Sequence, residues 1–295
     1  MPLRPALRPG APLLRRDAKH LQVGTSPGIV ITDRPGLLAL LHLMDGARDV
    51  ARLWALAGSD IPDLDVDVAD VVRELQSLGA VFDASRWSGP GRPGLEAESR
   101  HTSLGGEDPA SLRLRTSLRV SFHHDGGSRP LVVSTQAILS QAGVTDLDSL
   151  DPELLVIVSC GEPSRRVFDR PMLVGLDHLP VVVDEDRVRI GPFVRPGHTP
   201  CVGCHDQHRA DWDHLWPSIA SQLGRQTFAM TPPALSATAT HAGALELAVE
   251  VLAHADGHDL RTRGFCLAVG PAHDARIRWP VPFHHRCACD LLNAA

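Results

Sequence analysis

A chain of 295 residues is long enough for two domains with cores of their own, and its composition is ordinary for a soluble globular protein. A formal net charge of −6, no tyrosine and an aromatic content of 4 % argue against a nucleic-acid binder built on phosphate contacts and base stacking. No apolar stretch approaches the ~18 residues of a membrane span, and residues 1–10 are proline- and arginine-rich without the apolar region of a secretion signal, so the sequence reads as cytoplasmic.

Residues 1–85 read as a first domain. Leu13-Leu14, Leu21-Gln22-Val23 and Ile29-Val30-Ile31-Thr32 are short β-type runs, divided by the turn signals Gly24 and Pro27-Gly28. Helical periodicity follows at Leu37-Leu38, Leu40-Leu41 and Leu43-Met44. Asp49 is placed to cap a second helix through Leu53 and Leu56 that stops at Gly58. Asp67 is placed to cap a third, with Val68, Val71, Val72, Leu75 and Leu78 on one face and Gly79 closing it. Ala80-Val81-Phe82 reads as a last strand. Short strands and three helices of this size predict a winged-helix-like module. Residues 86–111, rich in Gly, Ser, Pro and charge with no apolar period, read as a linker.

From residue 112 to 295 the pattern is α/β. Residues 118–122 and Pro130-Leu-Val-Val133 read as strands, and residues 136–142 as a helix. Leu154-Leu-Val-Ile-Val158 has the continuous apolar character of a strand buried on both faces. Pro180-Val-Val-Val183 and Val188-Arg-Ile190 suit a hairpin. Helices are expected over 214–223 and 242–255, and strands over 265–269 and 276–279.

Two close cysteine pairs, Cys201-Val-Gly-Cys204 and Cys287-Ala-Cys289, supply four soft ligands, each pair on one short turn. Zinc takes four thiolates tetrahedrally at roughly 2.3 Å, a set that leaves no position for water or substrate and therefore reads as structural. Cys201-Val-Gly-Cys204-His205 also fits a haem attachment pattern, which would require export. The zinc-deaminase pattern needs His-x-Glu, and none of the sixteen histidines is followed by Glu two positions later. A redox Cys-x-x-Cys would leave Cys287 and Cys289 without a role, and a disulfide framework does not suit a chain of this size without a secretion signal. Cys160 and Cys266 sit in apolar runs and read as small buried hydrophobes.

Gly191-Pro192-x-Val194-x-Pro196-Gly197-x-Thr199-x-Cys201-x-x-Cys204, continuing through His208-Arg209-x-Asp211-x-Asp213 and Trp216-Pro217, resembles the zinc-binding segment of the ThiF-like (E1-like) proteins of azoline-forming peptide biosynthesis. Arg278-Trp279-Pro280, His284 or His285, then Cys287-x-Cys289 is similar to that family's closing motif. The resemblance implies a Rossmann-type α/β domain with a four-cysteine zinc site, preceded by a peptide-recognition element. It further implies a protein that binds the leader of a ribosomal precursor peptide and delivers its core to a YcaO-type, ATP-using cyclodehydratase; a homodimer is compatible with it.

An active E1-like site needs a glycine-rich turn after its first strand so that backbone amides can approach phosphate at a helix N-terminus. The turn here reads His123-His124-Asp125-Gly126-Gly127-Ser128-Arg129, without Gly-x-Gly-x-x-Gly, and Asp125 would repel phosphate. Lys19 is the only lysine, so the phosphate-contacting lysine of active relatives has no counterpart in this domain, and arginine is not its equivalent. The expectation is a degenerate nucleotide site, no ATP and a non-catalytic partner.

By resemblance, a leader would add a strand between residues 29–32 and the third helix. Ile29, Ile31, Val72 and Leu75 are the candidate contacts, with Arg73 for an acidic leader; the bland reading of the four apolar side chains is core. Asp211 and Asp213 read as caps of the following helix, and His284 and His285 as groups that orient or shield the zinc cluster. Two other readings stay open: an ATP-dependent adenylating enzyme, and a zinc-stabilised regulator. The third helix offers only Arg73 among Asp67, Asp70 and Glu74, a poor match to a phosphate backbone.

Overall fold

In the computed structural model the described residues are 2–86, 93–104, 112–223, 235–270 and 275–290. The chain is a mixed α/β protein of two compact units, Met1–Leu112 and Arg113–Ala295.

In the first unit β1 (Pro5–Leu7) pairs antiparallel with β5 (Val81–Asp83), while β2 (Leu13–Arg15), β3 (His20–Val23) and β4 (Ile29–Thr32) form an antiparallel meander. Three helices follow β4: α1 (Leu37–Leu43), α2 (Val50–Asp60) and α3 (Val68–Ser77). The Asp49 and Asp67 carboxylates accept the backbone N–H groups of Arg52 and Asp70, so the two shortest sequence signals fix two helix starts. Helix α2 runs two residues past Gly58, and Gly79 adopts φ 70°, the left-handed conformation that closes α3. The core joins Leu21, Val23 and Ile31 of the meander to Leu37, Leu40, Leu41, Leu53, Val72 and Leu75 of the helices. Each such side chain contributes about 1.5–3 kcal/mol on burial.

Residues 86–111 are not simply a linker: Pro93–Leu104 is a helix, α4. Within it Arg100 pairs with Glu96, and the Thr102 and Ser103 hydroxyls donate to the carbonyls of Glu98 and Ser99. Its buried positions Ser99 and Thr102 are polar and mark no apolar stripe, which is why the sequence pattern does not reveal it. The flanking stretches 87–92 and 105–111 lie outside the described residues.

The second unit opens with α5 (Leu112–Ser117), of which Leu112 itself falls at the boundary, and builds one six-stranded sheet in the order β11-β10-β9-β8-β7-β6. Strands β6 (Val120–His124), β7 (Leu154–Cys160) and β8 (Asp177–Val183) run parallel. β9 (Val188–Ile190), β10 (Phe265–Val269) and β11 (Arg276–Pro280) continue antiparallel, with β8 and β9 forming the expected hairpin. Helix α6 (Arg129–Gln141) carries the chain from β6 to β7 and packs against α10 (Ala237–Ala255). Pro130-Leu-Val-Val133, expected as a strand, is the first turn of α6. Proline is tolerated there because its missing N–H has no helical partner, and the buried Leu131, Val132, Thr135 and Leu139 follow helical spacing. Between β7 and β8 lies α7 (Asp169–Val174). After β9 come α8 (Val202–Trp212) and α9 (Trp216–Leu223). Among the described residues no helix is long and apolar enough to cross a membrane.

Candidate functional site

Cys201 caps α8 and Cys204 sits in its first turn, so this pair is a helix start rather than an isolated turn. Residues 281–290, which follow β11, bring Cys287 and Cys289 to them: Cys201 Sγ lies 3.5 Å from Cys287 Sγ, and Cys204 Sγ 3.4 Å from Cys289 Sγ. All four sulfurs fall within 4.8 Å of one another. Disulfides would be ~2 Å long, and all four cysteines are free. Four thiolates at the zinc–sulfur distance would stand about 3.8 Å apart, so the cluster needs little adjustment to hold a metal. Gly203 completes the cradle, because a Cβ there would lie 3.3 Å from both Cys201 Sγ and Cys287 Sγ. Cys201, Cys204 and Cys289 are buried, packed with Val194, Cys266 and Val281. Without metal, Cys204 is drawn down to about 4, first by its bond with the Cys201 thiol, while the same contact and burial push Cys201 up. The fourfold donor set favours a cation that removes those protons.

A second group, His208, Asp211 and His284, also brings three ligand atoms together. Its hydrogen bonds assign it a different role. His284 Nδ1 accepts the Arg286 N–H at 3.1 Å, so in the neutral ring the proton is on Nε2, which donates to Asp211 Oδ2 at 2.9 Å. A metal at Nε2 would need the lone pair that this tautomer lacks. Asp211, expected as a helix cap, instead lies in the last turn of α8, bonded to His284 and Arg286, because it points back toward the chain that carries the second cysteine pair. Asp213 does accept the N–H of Leu215 just ahead of α9. The His285 ring lies 4.4 Å from that of His284.

Beside α8 is a polar cluster drawn from distant stretches of the sequence. Glu162 accepts from Arg189 at 2.5 Å and pairs with Arg165 at 3.1 Å and Arg209 at 3.4 Å. Asp206 accepts two bonds from Arg165 and one from Trp216 Nε1. His205, buried among them with no partner for Nδ1 among the described residues, is pushed down to about 3, chiefly by desolvation, and is neutral. Trp212, Trp216 and Trp279, with Pro280 and Pro282, line a groove of about 830 Å³ nearby.

The turn after β6, where the sequence expectation looks for a nucleotide site, is closed on itself. Asp125 Oδ1 accepts the Ser128 N–H at 2.8 Å, its Oδ2 accepts the Cys160 N–H at 2.7 Å, and Ser128 Oγ donates to the Asp125 carbonyl at 3.1 Å.

In the first unit β4 ends the sheet and, among the described residues, pairs on one side only. Asp33 N–H donates to the Lys19 carbonyl at 2.7 Å, which sets the two-residue alternation of the ladder. Ile31 and Ile29 therefore bond to β3, and the peptide groups of Val30 and Thr32 face the open edge. Of the five candidate contacts, Ile31, Val72 and Leu75 are 3 %, 1 % and 0 % exposed. They pack in the core of the unit, the bland reading of the sequence pattern. Ile29 is half-buried against the same core, and Arg73 is exposed, paired with Asp70 at 2.7 Å. Val30 and Thr32, the exposed members of the strand, escape the sequence pattern because the alternation that marks a core face marks its opposite as mere surface.

No protein-family model and no curated protein matches the sequence. Solved structures do. A heterocyclase determined in complex with substrate and cofactor aligns over 99 % of this chain and 40 % of its own, with 14 % identity and a TM-score of 0.68. The heterocyclase TruD aligns over 98 % of this chain and 43 % of its own, with 14 % identity and a TM-score of 0.69. E. coli MccB determined with MccA aligns over 97 % of this chain and 99 % of its own, at 12 % identity and a TM-score of 0.57. The chain shares their fold, and it spans about two fifths of the length of the two heterocyclases.

Proposed function

We propose that this protein binds the leader of a ribosomally made precursor peptide and presents its core to a separate YcaO-type, ATP-dependent cyclodehydratase for azoline formation. The open edge of β4 carries this reading. The peptide groups of Val30 and Thr32 offer an incoming strand the ladder bonds that β3 already receives from Ile29 and Ile31. The first unit then acts as a winged-helix-like recognition element, with α3 flanking the added strand. The second is an E1-like, Rossmann-type scaffold without adenylation activity, supported by the Asp125 carboxylate bonded to the amides that phosphate would need. Zinc held by Cys201, Cys204, Cys287 and Cys289 would tie α8 to the segment after β11; bound by four thiolates it supplies a cross-link and no reactive position. The likeness to two heterocyclases supports a place for this fold in heterocycle formation.

The test is a fluorescence anisotropy titration of the full chain with labelled leaders of candidate Cys/Ser/Thr-rich precursors. Saturable micromolar binding supports the reading, and no binding to any leader contradicts it. A second reading, an ATP-dependent adenylating enzyme, draws on the likeness to MccB, which has been determined with ATP. ATP–pyrophosphate exchange above background would favour it.

A further inference from the structure

The acidic-leader reading of α3 relies on Arg73, but Arg73 lies 74 % exposed on α3 and is engaged by Asp70 on the same helix. A different arginine links the two elements proposed to flank the peptide. Arg34 stands two residues beyond β4, and its Nη2 donates to Glu74 Oε2 of α3 at 2.7 Å.

That bond uses one of the five donors of a guanidinium. Arg34 Nε is buried and has no acceptor, and no second partner for Arg34 is found among the described residues. The neighbouring cation is already balanced, since Arg15 pairs with Asp33 at 2.6 Å. Arg15, Asp33, Arg34, Pro35, Gly36 and Leu38 line a surface cavity of about 490 Å³, room for a side chain beside the guanidinium. The Arg34–Glu74 pair is partly exposed on both sides, 34 % and 45 %, so it is a weak bond that a competing acid can displace. A carboxylate engaging two donors of the fork makes the stronger bond.

We infer that Arg34 is the specificity-determining anchor at the end of the β4 edge, taking the carboxylate of an aspartate or glutamate of the bound peptide in exchange for Glu74. This rests on the reading of β4 as the peptide-binding edge. Glu74 holds the guanidinium in place while the edge is empty and is released when the peptide acid arrives.

The experiment selects a phage-displayed library of random dodecapeptides against the full-length protein, then measures one labelled winner by anisotropy. The winners should share an Asp or Glu at one fixed position relative to their apolar residues. Arg34→Gln should weaken binding by about tenfold to a hundredfold, and replacing the peptide acid by its amide should do the same. Glu74→Gln, which removes the competitor, should strengthen binding. A purely structural ion pair would instead lose affinity in both protein variants alike, and that result overturns the role given to Arg34. Winners without a fixed acid also overturn it, while leaving strand addition standing if Val30 and Thr32 are protected from hydrogen exchange. No selectable peptide, or winners that leave those two amides unprotected, overturns strand addition itself. Circular dichroism melts of both variants check that each remains folded.

Discussion

Asp125 Oδ2 accepts the backbone N–H of Cys160 at 2.7 Å, joining the turn after β6 to the end of β7 across 35 positions of sequence. The same carboxylate accepts the Ser128 N–H just ahead of α6, so both of its oxygens are engaged by backbone amides. Asp125→Ala should cost about 1–2 kcal/mol, read as a fall in Tm. Magnesium-ATP should leave the Tm of the parent unchanged; a concentration-dependent rise would show nucleotide binding.

The cysteine cluster makes a prediction about folding rather than catalysis. Cys201→Ser or Cys289→Ser should lose the metal and yield unfolded or aggregated protein, because site formation and folding are coupled. Metal content by mass spectrometry alongside circular dichroism reads both. A metal-free variant that still unfolds cooperatively at the parent Tm would contradict a structural site.

Proline is tolerated on an edge strand where its missing N–H would have faced outward. Val30→Pro should therefore keep the first unit folded while weakening leader binding by roughly tenfold or more. Anisotropy on the folded variant gives the answer, and unchanged affinity would place the peptide elsewhere.

Acid should weaken the second unit through Glu162. Burial works to raise its carboxyl, but the guanidiniums of Arg189, Arg165 and Arg209 outweigh it and hold the group below its ordinary value of 4.5. A depressed carboxyl contributes stability above its unfolded value and loses it as pH falls through the folded one. Glu162→Gln should be less stable by about 3 kcal/mol at neutral pH, with the gap to the parent closing as the solution is acidified. Chemical denaturation across that range measures it, and a pH-independent gap would contradict the assignment.

What the sequence discloses is what local chemistry encodes. Asp49 and Asp67 announce their helices because a cap bonds within three residues, and the cysteine pairs announce a candidate metal site because each pair is close in sequence. Helix α4 is hidden because Ser99 and Thr102, which it buries, are polar and mark no apolar stripe. Pro130 to Val133 misleads because β-branched residues suit both a strand and a buried first turn of helix. Arg34 and Glu74 are 40 positions apart, and the arginines around Glu162 are spread from 165 to 209, so nothing short of the fold brings them together. The periodicity that selects Ile31, Val72 and Leu75 is the periodicity of a core, whereas a strand that accepts another does so through its backbone.

The central claim concerns two peptide groups, and amide hydrogen exchange reads them directly. With a bound leader at saturation, the amides of Val30 and Thr32 should exchange much more slowly than in the free protein, while Ile29 and Ile31, already bonded to β3, change little. Saturable binding that leaves Val30 and Thr32 exchanging at their free rates would contradict the account.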